Sequence, residues 1–206
     1  MSSPRVVYLS TGAVLTAFLV GVVLLLRLLA PKPPSLVEDF PRSQGAGEAP
    51  VQIIEYSDFE CPACSAAQPL LQELRDRYPE KVRLVYQHFP LDGHRRSPQA
   101  HHAAECAARQ KKFWPFHDRL YREQSVWSKT EGSVIEIFLR FALEQGLDVD
   151  EFARCLSDPS VERAILEERA AGSGLGINST PSFFVNGKLV IGVLSVEGEV
   201  ERILSK

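Results

Sequence analysis

The stretch that decides the fold is VQIIEYSDFECPAC, residues 51–64. Its first six residues are mostly apolar and predict a strand, whereas the residues after Cys64 predict a helix. Cys61 and Cys64 therefore lie where a strand ends and a helix begins. Unpaired N–H groups and the positive end of the helix dipole stabilise a thiolate at such a position. The pattern indicates a dithiol that passes on disulfide bonds or electrons, rather than one that only links two parts of a fold.

Composition and charge exclude one class of partner. The chain has 206 residues, which suits one medium domain with an appendage. It carries 23 basic and 26 acidic side chains, for a formal net charge of −3. That balance provides no electrostatic footprint for a nucleic acid. We therefore expect no nucleic-acid partner.

The first 30 residues predict a membrane anchor. Residues 6–26 contain no charged side chain. A helix of that length, at ~1.5 Å per residue, spans a hydrocarbon layer of ~30 Å. A cleaved signal peptide, whose apolar region is usually ~7–15 residues, and a buried core helix stay open as alternatives. We expect an uncleaved single-pass signal anchor at 1–30, with the rest of the chain outside the cytoplasm, where a disulfide catalyst is useful.

Residues 31–50 predict a linker. They contain five prolines and the segment Gly45-Ala46-Gly47, with almost no apolar periodicity. This composition is typical of a semi-extended tether between a membrane and a domain. An ordered strand around Leu36-Val37 is the alternative.

The first half of the remaining chain predicts a βαβ unit. A strand at 51–57 is followed by a helix from Cys61 or Pro62 to about Arg77. Pro62 suits the first helical position, and Pro69 should kink the helix. A second strand at 82–87 follows closely enough to lie parallel to the first through a right-handed connection.

The second half predicts helices and then a hairpin. Helix formers dominate 97–171, and strands at 182–185 and 188–191 flank Asn186-Gly187, a strong hairpin signal. A last helix covers about 196–204. We assign 51–96 and 172–206 to one α/β domain with a four-stranded sheet, and 97–171 to an inserted helical domain. The glycine-rich segment 172–176 is interpreted as a loop or hinge.

Three motifs carry a resemblance to a known family. They are EYSDFECPAC at 55–64, FWPFHD at 113–118 with AAEC at 103–106 before it, and TPSFFVNG at 180–187. The chain resembles the DsbA-like thiol–disulfide oxidoreductases, in particular the membrane-anchored bacterial members. The resemblance covers residues 51–206 and implies a thioredoxin fold with an inserted helical domain.

The resemblance also implies roles for the residues of these motifs. Cys61 is expected to be the nucleophile and Cys64 the buried resolving thiol. Pro181 is expected to follow a cis peptide bond and to face the dithiol. That bond would turn the Thr180 backbone toward a bound peptide, which could pair with it as an added strand.

Three further site residues complete the expectation. Pro62 and Ala63, between the cysteines, are expected to contact substrate. Ala63 stands where the enterobacterial DsbA has histidine, so it offers no charge to a thiolate, and we expect a milder oxidant. Glu55 lies where related proteins keep a buried acid, which would relay the proton of Cys64. A slightly shifted strand with a solvent-paired Glu55 is the alternative.

Two more cysteines, Cys106 and Cys155, lie 49 residues apart. The residues alone leave open a structural bond, free buried thiols and an auxiliary redox pair. The resemblance implies a structural disulfide between two helices of the insertion. In the chain-entropy model, closing a loop of ~50 residues stabilises a fold by ~4 kcal/mol.

Several other patterns have ordinary explanations. The CxxC pair lacks the two further ligands of a zinc site, and His101-His102 with Cys106 is interpreted as an ordinary helix surface rather than a metal site. We expect no metal and no bound cofactor. The aromatic residues of FWPFHD are interpreted as packing, with a hydrophobic substrate groove as the alternative. The glycosylation pattern at 178–180 is interpreted as chance.

The sequence therefore predicts an enzyme that introduces disulfide bonds into exported proteins with cysteine thiols. The resemblance implies a quinone-linked membrane partner that reoxidises the dithiol, and we expect a monomer. One alternative is a disulfide reductase or isomerase, which runs the same chemistry backward. Another is a non-catalytic, membrane-tethered peptide or metal chaperone.

Overall fold

The computed structural model describes residue 16, residues 18–22 and residues 42–206. Residues 18–22 are helical. Within these described ranges, no helix combines the length and the apolar character needed to cross a membrane. Most of the predicted anchor, the linker up to residue 41 and the alternative strand around Leu36-Val37 lie outside the described residues.

From residue 42 onward, strands and helices follow in the predicted general order. The strands are β1 (Ser43–Gln44), β2 (Val51–Ser57), β3 (Val82–His88), β4 (Ser182–Val185) and β5 (Lys188–Ile191). The helices are α1 (Pro62–Arg77), α2 (Ser97–Arg109), α3 (Phe113–Arg122), α4 (Gln124–Trp127), α5 (Val134–Glu144), α6 (Val149–Cys155), α7 (Pro159–Gly174) and α8 (Val193–Leu204). The last helix begins three residues before its predicted start.

The strands form one mixed sheet in the order β1-β3-β2-β4-β5. β2 and β3 run parallel, with Val51 opposite Val82 and Ser57 opposite His88. The other neighbouring pairs are antiparallel. A parallel pair needs a crossover connection, which α1 provides. Because β2 is the central strand, the cysteines that follow it lie near the middle of the sheet, at the end where β2 terminates.

Both faces of β2 are buried. Val51 and Ile53 belong to the core that α1 and α8 form on one face, and Ile54 and Tyr56 belong to the core of the other face. Side chains alternate along a strand, so Glu55 shares the face of Val51 and Ile53. The fold therefore places a carboxyl group in the layer between the sheet and α1.

The predicted boundary of the linker is wrong at its carboxyl end. Residues 42–50 belong to the folded domain, because β1 pairs with β3 and both Arg42 and Ala49 are buried. Gly45 has φ +97°, and a Cβ there would lie 2.3 Å from the Val82 carbonyl oxygen. Glycine is thus required for this turn. Proline and glycine are common both in tight turns and in flexible linkers, so composition alone could not show that residues 42–50 are folded.

The helical residues enclose a second core, which also contains Phe59, Cys64 and Tyr86. Phe113 and Phe116 are fully buried in it, and Trp114 packs against it while its indole N–H donates to the Ser43 carbonyl. These aromatic residues serve packing. A disulfide joins Cys106 of α2 to Cys155 of α6, with an S–S distance of 2.03 Å.

The interpretation of the glycine-rich segment as a loop is wrong for its first part. Helix α7 continues through Gly172 to Gly174, and only Gly176 has a positive φ, +88°. The reason is packing: Gly172 is buried, and a Cβ there would lie 2.8 Å from the ring of Tyr56. From the sequence alone, a glycine that lets a helix pack closely against a sheet cannot be told from a glycine that ends the helix.

The interpretation of His101 as part of a helix surface is also wrong. Its ring is fully buried, with Nδ1 2.7 Å from Nδ1 of His88 and the ring centroid 5.0 Å from that of Phe59. Burial lowers the pKa of both histidines. Among the described residues, no three His, Cys, Asp or Glu side chains form a group that could hold a metal ion.

Candidate active site

Cys61 caps the amino terminus of α1, and a small part of the residue is exposed. It has extended backbone angles, and Pro62 follows at the first helical position, where its missing N–H is not needed. Its Sγ lies 3.6 Å from the Thr180 carbonyl oxygen. The peptide bond between Thr180 and Pro181 is cis. The helix start and the proline loop, 119 residues apart, therefore meet at this sulfur.

The pKa values of the two cysteines are shifted in opposite directions. Cys61 is 7% exposed and Cys64 is fully buried. The pKa of Cys61 is lowered to about 5, and the largest cause is a hydrogen bond from the Cys64 thiol. Burial acts in the other direction, whereas Thr180 and the N–H groups of Cys64 and Ala63 lower the pKa further. Burial raises the pKa of Cys64 well above its ordinary value. The reduced pair thus holds a thiolate at Cys61 and a thiol at Cys64 near neutral pH.

Glu55 lies on the face of β2 that α1 covers and is fully buried, so it is not paired with solvent. The Gln68 amide donates to Glu55 Oε1 at 3.0 Å and to the Cys64 carbonyl oxygen at 3.1 Å. Burial raises the pKa of Glu55, although the nearby His117, Ser57 and Gln68 side chains counteract it. A raised pKa brings a carboxyl group closer to the pH range in which it can both accept and donate a proton.

Asp58 is a site residue that the sequence did not reveal. It is fully buried, its N–H donates to Cys64 Sγ at 3.5 Å, and its carboxylate accepts from Ser97 Oγ at 2.7 Å and from the Leu91 N–H at 2.8 Å. Burial opposes its charge, but the nearby His101 imidazole and the Ser97 hydroxyl hold its pKa well below the ordinary value. The groups that hold its carboxylate besides the nearby Glu60 N–H include those of Leu91, Ser97 and His101, 33 to 43 residues away, so no local pattern could have found them.

Residues 39–205 match a family model described as Thioredoxin. The chain belongs to the thioredoxin family. This membership confirms the predicted thioredoxin-like α/β fold. A thioredoxin-like oxidoreductase from Silicibacter pomeroyi DSS-3 is 33% identical, with a TM-score of 0.65, and the match covers 80% of this chain and 92% of that one.

Other proteins similar to this thioredoxin-family chain include a solved DsbA structure and a curated antiporter sequence. The structure of α-DsbA1 from Wolbachia pipientis shares the fold, with a TM-score of 0.68 at 23% identity over 87% of this chain and 95% of that one. The predicted resemblance to DsbA-like proteins is confirmed at the level of the fold. The Na(+)/H(+) antiporter NhaA 3 of Salinispora tropica is 37% identical over 79% of this chain. The chain spans about a quarter of the length of such curated relatives, 24% in this case.

The remaining predicted site residues of this thioredoxin-family domain lie around Cys61. Pro62 and Ala63 are exposed, and Thr180 and Pro181 are half-buried. The elements that follow Pro181 carry two exposed apolar side chains that the sequence did not single out. Ile191 is exposed and pairs with Ser182, the residue after Pro181, and Leu194 is 77% exposed at the start of α8.

Proposed function

We propose that this protein is an extracytoplasmic thiol–disulfide oxidoreductase that introduces disulfide bonds into exported proteins. The observation that carries the proposal is the asymmetry of the dithiol. The Cys61 sulfur lies at a helix start, 3.6 Å from the Thr180 carbonyl oxygen, whereas Cys64 is sealed below it. One sulfur is thus available to a partner thiol, and the other can only react with Cys61.

In the proposed reaction, a substrate thiolate attacks Cys61 Sγ of the oxidised pair. The S–S bond breaks, Cys64 leaves as a thiolate and takes up a proton, and Cys61 is joined to the substrate. A second substrate thiolate then attacks the substrate sulfur of this mixed disulfide and expels Cys61 as a thiolate. Two electrons pass from the substrate to the dithiol. The lowered pKa of Cys61 makes it a good leaving group and stabilises the reduced form, which favours oxidation of the substrate.

Glu55 is proposed to handle the proton of Cys64. Cys64 must gain a proton when the active disulfide opens and lose it when the disulfide forms again. Glu55 is a buried carboxyl, and its partner Gln68 also donates to the main-chain carbonyl of Cys64. Its raised pKa supports both directions of transfer.

The substrate is proposed to lie across the exposed surface beside Cys61. The Thr180 backbone would pair with an extended peptide, and Pro62 and Ala63 would contact it from the helix start. The exposed side chains of Ile191 and Leu194 would extend this surface with apolar area. Exposed apolar patches mark sites of protein–protein interaction, so such a surface suits an unfolded protein substrate.

The location and the redox partner are part of the same proposal. We place the domain outside the cytoplasm on a single membrane anchor, with a quinone-linked membrane protein as the oxidant of the reduced dithiol. The uncharged run at residues 6–26 supports the membrane anchor. A disulfide catalyst is useful in an oxidising compartment, which supports the extracytoplasmic side of the membrane.

Equilibration of the dithiol with glutathione tests the direction of the reaction. We expect a potential less reducing than the ~−270 mV of cytosolic thioredoxin and less oxidising than the ~−120 mV of the enterobacterial DsbA. The variant Ala63→His, which adds a donor beside the Cys61 thiolate, should move the potential in the oxidising direction. A wild-type potential as reducing as that of thioredoxin would favour the reductase alternative.

A second experiment separates catalysis from simple binding. Cys61→Ser should abolish oxidation of a reduced peptide with two cysteines, because an alkoxide neither forms nor leaves as readily as a thiolate. Binding of the same peptide with its cysteines alkylated should persist. If the wild-type protein binds the peptide without ever oxidising it, the chaperone alternative is favoured.

A further inference from the structure

Oε2 of Glu55 and Nε2 of His117 are among the buried polar atoms that lack a hydrogen-bond partner within the described part of the chain. Glu55 is 0% exposed and His117 is 1% exposed. Buried polar atoms are nearly always hydrogen-bonded, directly or through water, so two such atoms in one region require an explanation.

Both side chains connect to the same open cavity through one hydrogen bond each. Gln68 donates to Glu55 at 3.0 Å, and His117 Nδ1 lies 2.8 Å from Asp118 Oδ1. Gln68 and Asp118 both line a cavity of about 470 Å³, together with Ser65, Arg75 and Tyr121. Two chains of side chains therefore lead from the buried residues to the solvent of this cavity. One runs from Glu55 to Gln68, and the other runs from His117 to Asp118.

The hydrogen bond to Asp118 determines which nitrogen of His117 faces inward. A carboxylate only accepts, so His117 Nδ1 carries the hydrogen and donates it. Nε2 of the neutral ring is then an unprotonated acceptor inside the protein. The ring is held there by aromatic neighbours, with centroids of Trp114 and Tyr121 both 4.9 Å away.

Several polar groups surround Glu55. They are Ser57 of β2, Gln68 and Arg75 of α1, Tyr86 of β3, and His117 and Tyr121 of α3. When His117 takes up a proton, its positive charge favours the ionised form of Glu55 more than Arg75 does. Gln68 can hold the carboxyl group, but an amide does not release a proton near neutral pH.

We infer that His117, positioned by Asp118, relays protons between Glu55 and the solvent of this cavity whenever Cys64 changes its protonation state. The inference rests on the proposed function. When Cys64 attacks a mixed disulfide at Cys61, its S–H proton passes to the Glu55 carboxylate. The Glu55 proton passes to His117 Nε2, and the Nδ1 proton leaves through Asp118. The S–S bond to the partner breaks, the new S–S bond forms within the pair, and the partner leaves as a thiolate.

The relay makes one chemical step depend on His117 and leaves another independent of it. With the reduced full chain and glutathione disulfide, the first step is attack by the Cys61 thiolate, which releases one glutathione and moves no proton of Cys64. The second step is attack by Cys64 on the mixed disulfide, which requires loss of its proton. Rapid acid quenching followed by mass measurement counts the mixed disulfide over time and separates the two rates.

The test compares His117→Gln and Asp118→Asn with His102→Gln. Gln at 117 keeps a polar side chain but cannot carry a proton, and His102 is a half-buried histidine that lines a different cavity. We expect His117→Gln to slow the second step by about tenfold, since general acid–base groups contribute ~10²–10⁴-fold and this one acts through Glu55. The slowing should be largest at low pH, where less Glu55 is ionised. The first step, measured in a Cys64→Ser background, and both steps of His102→Gln should stay unchanged.

Each outcome decides the inference. A second step with the wild-type rate and pH profile in His117→Gln overturns it, and so does equal slowing of both steps, which indicates a packing role. If His117→Gln does not fold, Asp118→Asn decides, because that side chain is 55% exposed. A selective slowing there supports the relay, and no change overturns it. Wild-type protein that forms no disulfide with glutathione disulfide overturns both the relay and the proposed function, which distinguishes that failure from the others.

Discussion

At the scale of single residues, two identical side chains acquire different chemistry from their places on one helix. Cys61 caps α1 and meets the N–H groups of the first turn, whereas Cys64 lies one turn further and points into the core. The Cys64 thiol donates to the Cys61 sulfur, so each cysteine sets the proton affinity of the other. The dithiol is therefore one coupled unit, and a change at either position alters both.

The first prediction concerns this coupling. Cys64→Ala removes the hydrogen bond that is the largest cause of the lowered pKa of Cys61. We expect the ultraviolet thiolate absorbance of reduced wild-type protein to titrate at about pH 5. The midpoint in Cys64→Ala should move toward the ordinary ~8.5, and the midpoint in Cys64→Ser, which keeps a hydroxyl donor, should move less. Equal midpoints in the three proteins would contradict the assigned cause.

The second prediction concerns Glu55 and the pH dependence of stability. The pKa of Glu55 is raised above its ordinary 4.5 in the folded state. Above pH 4.5 the unfolded chain loses a proton that the folded chain retains, so the carboxyl group costs stability as the pH rises toward the folded pKa. We expect Glu55→Gln to increase the free energy of unfolding at pH 7 and to leave it nearly unchanged at pH 4. Urea denaturation at both values measures this, and a gain confined to pH 4 would refute it.

At the scale of elements, α7 lies close to the sheet because a glycine faces it. A Cβ at Gly172 would lie 2.8 Å and 2.9 Å from two ring carbons of Tyr56 and 3.1 Å from Phe89. These rings belong to one buried cluster and have little room to move. The position of α7 therefore depends on this one missing side chain.

The third prediction tests that contact. Gly172→Ala should lower the free energy of unfolding by ~1–3 kcal/mol, the usual cost of overpacking a core. Gly174→Ala, two residues on in the same helix, meets no atom within 4 Å and is the matched control. It should be neutral or stabilising by less than ~1 kcal/mol, because alanine favours a helix over glycine. Thermal or urea unfolding of both variants measures the difference, and similar effects at the two positions would refute the steric argument.

At the scale of the described domain, Arg42 joins the first strand to two distant helices. Its guanidinium forms ion pairs with Glu105 of α2 and Glu168 of α7, and the Arg42 carbonyl accepts from the Tyr86 N–H. The two carboxylates are 23% and 20% exposed, whereas the arginine side chain is 6% exposed. Removing one partner of such a cluster leaves poorly solvated charge behind, which costs more than the pair itself contributes.

The fourth prediction compares this cluster with a surface pair. Arg42→Ala should lower the free energy of unfolding by about 3 kcal/mol, the low end for a broken buried pair, because the carboxylates retain some solvent. Arg169→Ala, which breaks the pair with the largely exposed Asp92, should cost ~1 kcal/mol or less. Chemical denaturation of the two variants at low and high salt measures this. An Arg42 effect as small as that of Arg169 would show that residue 42 is not part of the folded unit.

Much of the fold could be predicted from local patterns, and the candidate site only in part. The strands at 51–57 and 182–185 and the first helix were predicted with their observed bounds, because apolar runs, turn residues and Pro62 mark them locally. The burial of Glu55 and the partners of Asp58 could not be derived in that way. Both depend on which element covers the face of β2, and that is decided by packing between distant segments.

The sequence by itself determined that a reactive dithiol lies at a strand-to-helix junction, since strand, helix start and cysteines are contiguous in the chain. Only the tertiary structure decided what surrounds those sulfurs. It brings Thr180 to Cys61 across 119 residues and Glu168 to Arg42 across 126. It also places His117 and Asp118 between the buried acid and an open cavity. Contacts of that range follow from strand order and helix packing, which reflect the free energy of the whole chain rather than any local pattern.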